Sequence, residues 1–242
     1  RVAAAGYREI VLTGANLGCY RHGVYGLPDL VRDIEAIRGV DRIRLSSIEI
    51  STVERQIVDV MAASAKLCHF LHLPMQSGSD RILRAMGRRY TSRQYREVVE
   101  YADRRVPRIG IGADIIVGFP GEDEAAFEET YRLAADLPLS NLHVFPYSRR
   151  PGTRADALPD QVPPAVKKER VKRLLDLEVV RRRAFAESFL GRPVAALIER
   201  LDSQGQGVGW TSEYLEARIT GPDLRVNQIV DFTPSSVANC KL

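Results

Sequence analysis

Five short clusters of polar and glycine residues could carry chemistry, because each of them follows a predicted β-strand. They are Gly14-Ala15-Asn16, Ser46-Ser47-Ile48-Glu49, Gln76-Ser77-Gly78-Ser79, Gly118-Phe119-Pro120-Gly121 and Tyr147-Ser148. In parallel α/β folds the carboxyl ends of the strands meet at one edge, where binding sites are built. The clusters together therefore predict one polar site at one end of a sheet.

The turn of residues 118–121 lies between a predicted strand and a predicted helix, where a phosphate-binding loop could form. It lacks the Lys-Ser/Thr pair of a P-loop, and the acidic Glu122 and Asp123 would repel a phosphate. We interpret it as a tight turn that begins a helix. This interpretation leaves Asp114 unexplained, since that carboxylate stands inside an otherwise apolar strand.

Cys68, His69 and His72 are potential metal ligands. On a strand Cys68 and His72 share one face and His69 faces away, so a third ligand is missing and packing is favoured over a metal site. A serine hydrolase is also disfavoured, because the chain contains no Gly-x-Ser-x-Gly elbow beside Ser77.

Alternating strands and helices predict parallel βαβ units between residues 7 and 147. Thr52 is the predicted N-cap of the second helix. Strands are predicted at Glu9–Thr13, Arg42–Ser47, Phe70–Leu73, Ile109–Val117 and Asn141–Pro146, and helices at Leu27–Ile37, Thr52–Lys66, Ser79–Met86, Ser92–Arg104 and Glu122–Leu137.

Composition excludes several classes of protein. A hydrophobic content of 45% in 242 residues excludes a disordered chain, and no apolar run approaches the roughly 20 residues of a membrane span. Three scattered cysteines, Cys19, Cys68 and Cys240, exclude a disulfide framework and a sequence-local zinc site. A reducing, cytoplasmic setting is the prediction that follows.

The last hundred residues differ from the rest in charge and in predicted secondary structure. A long charged helix is predicted from Ala165 to about Phe189, and residues 145–183 carry 11 positive and 5 negative charges. This local basic excess points to an acidic partner, although a solvated helix face is the usual explanation. A small all-β barrel is then predicted from strands at Pro193–Asp202, Val208–Thr211, Tyr214–Thr220 and Arg225–Thr233. It offers Trp210 and Tyr214 for stacking.

Six motifs, in this order, resemble the successive motifs of the radical S-adenosylmethionine methylthiotransferases. They are residues 6–14 (GYREIVLTG), 44–49 (RLSSIE), 71–79 (LHLPMQSGS), 86–91 (MGRRYT), 114–122 (DIIVGFPGE) and 143–153 (HVFPYSRRPGT). The resemblance covers the whole chain. It implies a partial (β/α)6 barrel lacking its first strand over residues 1–189, including a basic linker helix at about 165–189, followed by a TRAM (OB-like) β-barrel over residues 190–242.

The resemblance also implies the chemistry. In this family a [4Fe–4S] cluster held by Cys-x3-Cys-x2-Cys reduces S-adenosylmethionine to a 5′-deoxyadenosyl radical. The radical abstracts hydrogen from C2 of the adenine, and a methylthio group is inserted with the help of an auxiliary cluster. The implied partners are the tRNA anticodon arm around position 37 and an electron donor for the full-length enzyme, which would be a monomer.

Residue by residue, the resemblance implies two sets of contacts. The expected S-adenosylmethionine contacts are Thr13, Gly14, Asn16, Ser47, Glu49, Gln76, Ser77, Arg88, Asp114, Val117, Gly118, Phe119, Phe145 and Tyr147. Arg88 is expected to pair with the methionyl carboxylate. The expected tRNA contacts are Arg149, Arg150, Lys167, Lys168, Arg181, Arg182 and Arg183.

One departure from the family pattern concerns the cluster. No Cys-x3-Cys-x2-Cys motif occurs in the sequence, and the family places it upstream of Gly6. The expectation is an N-terminally truncated chain that holds no cluster, offers no metal ligands or catalytic residues of its own and is inactive alone, whereas the full-length parent holds two clusters.

Within the family, the residues at 46–49 and 143–148 are most similar to the branch that modifies N6-threonylcarbamoyladenosine-37. Arg149-Arg150 stands where the branch acting on a ribosomal-protein aspartate has acidic residues. The N6-isopentenyladenosine-37 branch is the nearest rival. Two further hypotheses stay open, namely a non-catalytic tRNA-binding fragment and a generic (β/α)-barrel hydrolase or aldolase.

Overall fold

The computed structural model describes residues 1–242, and strands alternate with helices over most of its length. The strands are β1 (Glu9–Leu12), β2 (Arg21–His22), β3 (Tyr25–Gly26), β4 (Arg42–Leu45), β5 (Phe70–His72), β6 (Gly110–Val117), β7 (Asn141–Pro146), β8 (Val194–Leu201), β9 (Gly207–Thr211), β10 (Glu216–Ile219) and β11 (Ile229–Phe232). The α-helices are α1 (Leu27–Glu35), α2 (Arg55–Ala63), α3 (Asp80–Ala85), α4 (Ser92–Arg105), α5 (Glu124–Asp136) and α6 (Pro164–Glu187). None of them is long and apolar enough to cross a bilayer.

Five parallel strands form the framework of the first part of the chain. β1 pairs with β4, and β5, β6 and β7 form a three-stranded ladder. A parallel bridge between Ile43 and Leu67 joins the two groups, which gives the order β1-β4-β5-β6-β7. All the carboxyl ends of these strands therefore lie at one edge, as the sequence pattern predicts.

Side chains alternate between the two faces of this sheet. Along β6, Ile111, Ile115 and Val117 are fully buried in the main hydrophobic core, which also includes residues of α2, α4 and α5. Asp114 and Ile116 lie on the other face, which we call the inner face. Its members on the neighbouring strands include Phe70, His72, His143 and Phe145.

Helix boundaries follow local capping chemistry. Thr91 accepts a hydrogen bond from the backbone N–H of Gln94 in a capping box, and Asp123 accepts one from Ala126. The predicted N-cap role of Thr52 is wrong. Its hydroxyl donates to the carbonyl of Glu49 at 2.8 Å and ends a short 3-10 turn, so α2 begins only at Arg55.

β8 to β11 form one antiparallel sheet, in the order β10-β9-β8-β11. The end of α6 reaches its small core through Ala186 and Phe189, which are both fully buried. The C-terminal Leu242 extends the sheet, because its backbone exchanges hydrogen bonds with Glu216 and Arg218. The predicted β-rich texture is confirmed, whereas closure into a barrel stays a prediction.

The turn between β9 and β10 packs against the amino ends of the parallel strands. Arg42 donates to the carbonyl of Trp210 at 2.9 Å, and Arg44 donates to the carbonyl of Thr211 at 3.1 Å. Tyr214 is stacked between Trp210 and Phe70, with ring centroids 4.6 Å apart on both sides. We call this aromatic stack the plug. It occupies the end of the sheet opposite the predicted site, and it uses the two rings that the sequence offered for stacking on a partner.

Candidate cofactor and substrate site

A cleft of about 570 Å³ opens at the carboxyl ends of β5, β6 and β7. Ten residues line it. Five of them are predicted site residues, namely Gln76, Asp114, Phe145, Tyr147 and Arg150. The size is that of an ordinary small-molecule site, since such clefts measure about 300–1,000 Å³. Three separate segments of the sequence thus meet in one place because their strands are parallel neighbours.

Gln76 is held in the cleft wall by its backbone. Its N–H donates to the carbonyl of Asp114 at 2.8 Å, and its own carbonyl accepts from the N–H of Ile116 at 2.9 Å. The residue has a φ of 63°, which places a non-glycine residue in the left-handed region. Such strained positions are concentrated at functional sites, and this one fixes the Gln76 backbone beside Asp114.

A buried ion pair holds the turn that follows β6. The N–H of Gly118 donates to a carboxylate oxygen of Glu122 at 2.8 Å, and the same oxygen accepts from Arg170 of α6 at 2.8 Å. Burial raises the pKa of Glu122, against the lowering effects of the Gly118 and Arg170 contacts. Because the carboxylate already occupies the amide of the turn, the interpretation as a tight turn and not a phosphate cradle agrees with the structure.

Aromatic rings connect this turn to the end of β7. Phe119 packs edge-on against Tyr147, with centroids 5.2 Å apart, and is itself almost fully buried. The Lys167 ammonium lies 5.1 Å from the centroid of the Tyr147 ring and donates to the Tyr147 carbonyl at 3.0 Å. Desolvation, followed by the charge of Arg149, lowers the pKa of Lys167. In contrast, the Phe145 ring is half exposed and is free to contact a ligand.

The predicted residues of the second and third motifs lie after β1 and β4. Glu49 pairs with Arg88 at 3.4 Å, so this arginine already has a carboxylate partner within the chain. The side-chain amide of Asn16 lies 3.2 Å from the hydroxyl oxygen of Thr52. Thr13 and Gly14 are exposed at the open edge next to β1.

Only four of the fourteen predicted S-adenosylmethionine contacts line the cleft, and two of the remaining ten point into packed regions of the protein. The Ser77 side chain is buried and forms a 3.1 Å hydrogen bond with the hydroxyl of Thr130 on α5. Val117 is fully buried in the main core. Both were selected from their positions in motifs, and strand alternation together with α5 packing turns their side chains away from the cleft. Only their backbone groups are available at the strand ends.

A row of polar side chains on the inner face was not predicted from the sequence. The carboxylate of Asp114 lies 3.1 Å from Nε2 of His72 and 3.3 Å from Nδ1 of His143. Burial alone would raise the pKa of Asp114, but the hydrogen bond and charge of His72, together with His143, lower it on balance. The unexplained carboxylate in β6 was the signal available in the sequence, and the structure adds the register that pairs Asp114 with His143.

The sequence profile of the Radical SAM superfamily matches residues 1–134, which is more than half of the chain. The chain belongs to the radical SAM superfamily. It is 40% identical over 198 residues to a threonylcarbamoyladenosine tRNA methylthiotransferase, MtaB, of Aquifex aeolicus, covering 81% of this chain and 48% of that relative. The chain is also 36% identical over 233 residues to the MtaB of Bacillus subtilis, and the alignment covers 93% of this chain and 52% of that relative.

A second kind of relative shows a comparable degree of identity. A tRNA-2-methylthio-N(6)-dimethylallyladenosine synthase of Trichlorobacter lovleyi is 37% identical over 236 residues, covering 95% of this chain and 53% of that relative. The predicted resemblance to the radical SAM methylthiotransferases, with the MtaB branch among them, is confirmed. The chain spans about half the length of the curated relatives that it matches.

Solved structures share the fold at low sequence identity. The Escherichia coli coproporphyrinogen III oxidase HemN, a radical SAM enzyme, gives a TM-score of 0.57 at 12% identity and covers 86% of this chain and 54% of its own. The radical S-adenosylmethionine methyltransferase TsrM of Kitasatospora setae gives a TM-score of 0.52 at 18% identity. The match covers 64% of this chain and 31% of TsrM. Together with the family match over residues 1–134, these structures establish an α/β radical SAM fold for that part of the chain.

The residues of this chain do not fit an iron–sulfur cluster. Cluster irons require several thiolates grouped together. Cys68 is buried, with its sulfur 3.6 Å from the guanidinium of Arg42, whereas Cys19 is exposed after β1 and Cys240 contacts the carbonyl of Val179 on α6. The three thiols thus belong to three separate environments. The cleft at the strand ends, by contrast, has the size and the polar and aromatic lining that S-adenosylmethionine requires.

The predicted tRNA contacts fall into two groups. In the first group, Arg150 lines the cleft and Lys167 contacts the lining residue Tyr147, and Arg149 and Lys168 are their neighbours in the sequence. The second, Arg181, Arg182 and Arg183, lies near the other end of α6. At 1.5 Å per helical residue the groups are about 20 Å apart. Arg149 is paired with Asp156 at 2.7 Å, and Arg182 and Arg183 lie near glutamates of α6 itself.

Proposed function

We propose that this chain binds S-adenosylmethionine in the cleft after β5, β6 and β7, as part of a tRNA methylthiotransferase. The single observation that carries the proposal is the meeting of five motif residues in one cleft of suitable volume. S-adenosylmethionine, when bound with its cluster, supplies a 5′-deoxyadenosyl radical. The chain's own residues position the cofactor: Phe145 offers a ring face to the adenine, and the Gln76 backbone and the Glu122-supported turn shape the wall.

The proposed substrate is adenosine-37 of the tRNA anticodon arm, carrying the N6-threonylcarbamoyl group. Two of the similar proteins carry this activity in their names. The threonylcarbamoyl group bears a carboxylate, and the exposed guanidinium of Arg150 lines the cleft beside Arg149. A guanidinium is the preferred partner of a carboxylate. The N6-isopentenyl group of the alternative substrate is apolar and gains nothing from these cations.

Binding to two anticodon stem-loops, identical except for the modification at position 37, tests this choice. We expect the threonylcarbamoyl form to bind more tightly, and the preference to shrink about tenfold in an Arg149→Ala/Arg150→Ala double variant. An Arg93→Ala/Arg104→Ala double variant on exposed α4 positions is the matched control. Tighter binding of the isopentenyl form would assign the chain to the alternative substrate.

We infer further that these residues bind the cofactor and tRNA without holding a cluster, so that turnover requires cysteine ligands from elsewhere and an external electron donor. The dispersed thiols support this inference. Iron and acid-labile sulfide analysis after anaerobic reconstitution tests it. The expected result is no stoichiometric iron, and about four irons per chain with matching sulfide would contradict it.

The finer architecture belongs to the same proposal. We propose that β1, β4, β5, β6 and β7 are part of a (β/α)6 barrel within residues 1–189, and that residues 190–242 are a TRAM module. The change after residue 190 from parallel strands and helices to one antiparallel sheet, β8 to β11, supports this division. Limited proteolysis that cleaved first within β8 to β11, and not near this junction, would contradict the division.

A further inference from the structure

His72, Asp114 and His143 form a compact group on the inner face, below the cleft and above the plug. One carboxylate oxygen of Asp114 lies 3.1 Å from Nε2 of His72 and 3.3 Å from Nδ1 of His143. The three ligand atoms lie within 4.8 Å of one another. They come from three adjacent parallel strands, so their spacing is fixed by the hydrogen-bonded ladder and not by flexible loops.

We propose that these three side chains bind one divalent first-row transition-metal ion, for which Zn²⁺ is the probe. Two imidazoles and one carboxylate are a ligand set used by zinc and by non-haem iron sites. Metal–ligand bonds of about 2.0–2.1 Å place tetrahedral ligands about 3.3 Å apart. The two observed nitrogen–oxygen separations already match that value, and the two histidine nitrogens lie within 4.8 Å of each other.

The neighbours of both histidines support this role. A metal at Nε2 of His72 requires the proton on Nδ1, where the hydroxyl oxygen of Ser47 lies at 2.5 Å and accepts it. A metal at Nδ1 of His143 requires the proton on Nε2, which lies 3.3 Å from the side-chain amide of Asn141. The amide oxygen accepts that proton after a flip of the amide, which leaves its shape unchanged. Partners of this kind orient metal-binding histidines.

The group is open on one side. The Asp114 carboxylate lines the upper cleft, and His143 lines a second cavity of about 420 Å³ that reaches the plug at Trp210 and Tyr214. His143 is about half exposed. Three protein ligands with an accessible fourth position are the arrangement of catalytic-type metal sites, in which water or a substrate atom completes the coordination. The cysteines are not involved.

Titration of the purified 242-residue chain with Co²⁺, followed by competition with Zn²⁺, tests the proposal. We expect one ion per chain, with the visible absorption of a four- or five-coordinate site and without a thiolate charge-transfer band. Asp114→Asn and His72→Gln each weaken binding at least tenfold. Ser47→Ala changes an exposed residue and weakens binding about tenfold by removing the proton acceptor. His22→Gln, on the exposed β2, is the matched control and binds as the wild type does.

Three results would overturn the proposal: no saturable binding, the same affinity in Asp114→Asn as in the wild type, or a thiolate band that disappears on substitution of a cysteine. In any of these cases the row is a hydrogen-bonded network only. Circular dichroism of each variant distinguishes loss of the site from loss of the fold. The inference is independent of the proposed cofactor and tRNA, since metal binding requires neither.

Discussion

Glu122 connects the predicted cofactor site to the helix behind it. Its side chain is fully shielded from solvent and joins the Gly118 turn to Arg170, which is itself 4% exposed. The other carboxylate oxygen of Glu122 and the Nε of Arg170 have no hydrogen-bond partner. Hydrogen bonds and charge therefore do not fully offset the cost of burying this ion pair. Since buried pairs add little net stability, the main effect of the pair is to fix the position of the Gly118 turn relative to α6.

Arg170→Met is expected to lower the free energy of unfolding by about 3–5 kcal/mol, because it leaves the Glu122 carboxylate buried without its cation. The pKa of Glu122 is already raised in the folded chain, so its contribution favours the folded state below the unfolded value of 4.5 and is lost as the pH rises through the folded pKa. The variant is therefore least impaired at acidic pH. Urea unfolding across this pH range checks the prediction.

The control for this substitution is Lys172→Met, which removes an exposed cation of the same helix. We expect it to change stability by less than about 1 kcal/mol at every pH. An equal loss in both variants would show that Arg170 acts only through helix charge.

Gly118→Ala tests the turn itself. Gly118 has a φ of +72°, and an added Cβ would lie 2.4 Å from Cγ of Lys167. We expect about 1–3 kcal/mol of destabilisation from the backbone conformation and a further loss from the clash, with weakened S-adenosylmethionine binding. Gly191→Ala is the control. Gly191 has a φ of +69°, and an added Cβ would meet open space, so this variant measures the cost of the backbone conformation alone. Equal stability of the two variants would contradict the packing of Lys167 under the turn.

Among the secondary-structure elements, the β9–β10 turn differs most from its predicted role. Trp210 and Tyr214 were expected to be available for stacking on a partner, but Tyr214 is stacked between Trp210 and Phe70. Hydrophobic periodicity predicted the spans of β5, β6, β7 and α4 closely, because it depends on local burial. The plug depends on contacts between distant segments, for which one sequence carries no signal.

The difference between local patterns and contacts of distant segments also explains which parts of the candidate site could be predicted. Gln76, Asp114 and Phe145 could be predicted to meet because strand ends in a parallel sheet must share an edge. The His143 contact with Asp114 could not, since it depends on the register between β6 and β7. The side-chain directions of Ser77 and Val117 depend on packing against α5 and the main core.

Tyr214→Ala tests the plug. Each aromatic pair contributes about 0.5–1.5 kcal/mol beyond its burial, so the loss of two pairs is expected to lower stability by about 1–3 kcal/mol and to separate the unfolding of the two sheets. Tyr20→Ala is the matched control, because both rings are 38% exposed and Tyr20 has only one edge-on partner, Tyr25. A single unfolding transition with unchanged midpoint in Tyr214→Ala would contradict the account of the plug.

At the scale of the whole molecule, the two basic groups are expected to contact different parts of the proposed tRNA substrate. Arg150 lines the cleft in the loop after β7, and Lys168 lies in the first turns of α6. Arg181 and Arg183 lie about 20 Å or more from Lys168 along the helix. Under the proposed function adenosine-37 enters the cleft, so the first group is expected to contact the nearest phosphates and the second group to contact the anticodon arm farther out.

Arg150→Glu/Lys168→Glu is therefore expected to weaken stem-loop binding more than Arg181→Glu/Arg183→Glu does. The dependence of affinity on salt should also become shallower, by about one unit of slope for each lost phosphate contact. Gel-shift titrations at several salt concentrations check this. Equal losses in the two double variants would contradict an approach from the cleft side.

Binding of S-adenosylmethionine in the cleft at the ends of β5, β6 and β7 is the proposal on which the others depend. Equilibrium dialysis of the chain against labelled S-adenosylmethionine tests it most directly, with Phe145→Ala as the cleft variant and Tyr7→Ala as a control on another exposed ring. We expect saturable binding of one molecule per chain, weakened at least tenfold by Phe145→Ala and unchanged by Tyr7→Ala. An absence of saturable binding, or equal affinity of the Phe145→Ala variant and the wild type, would contradict it.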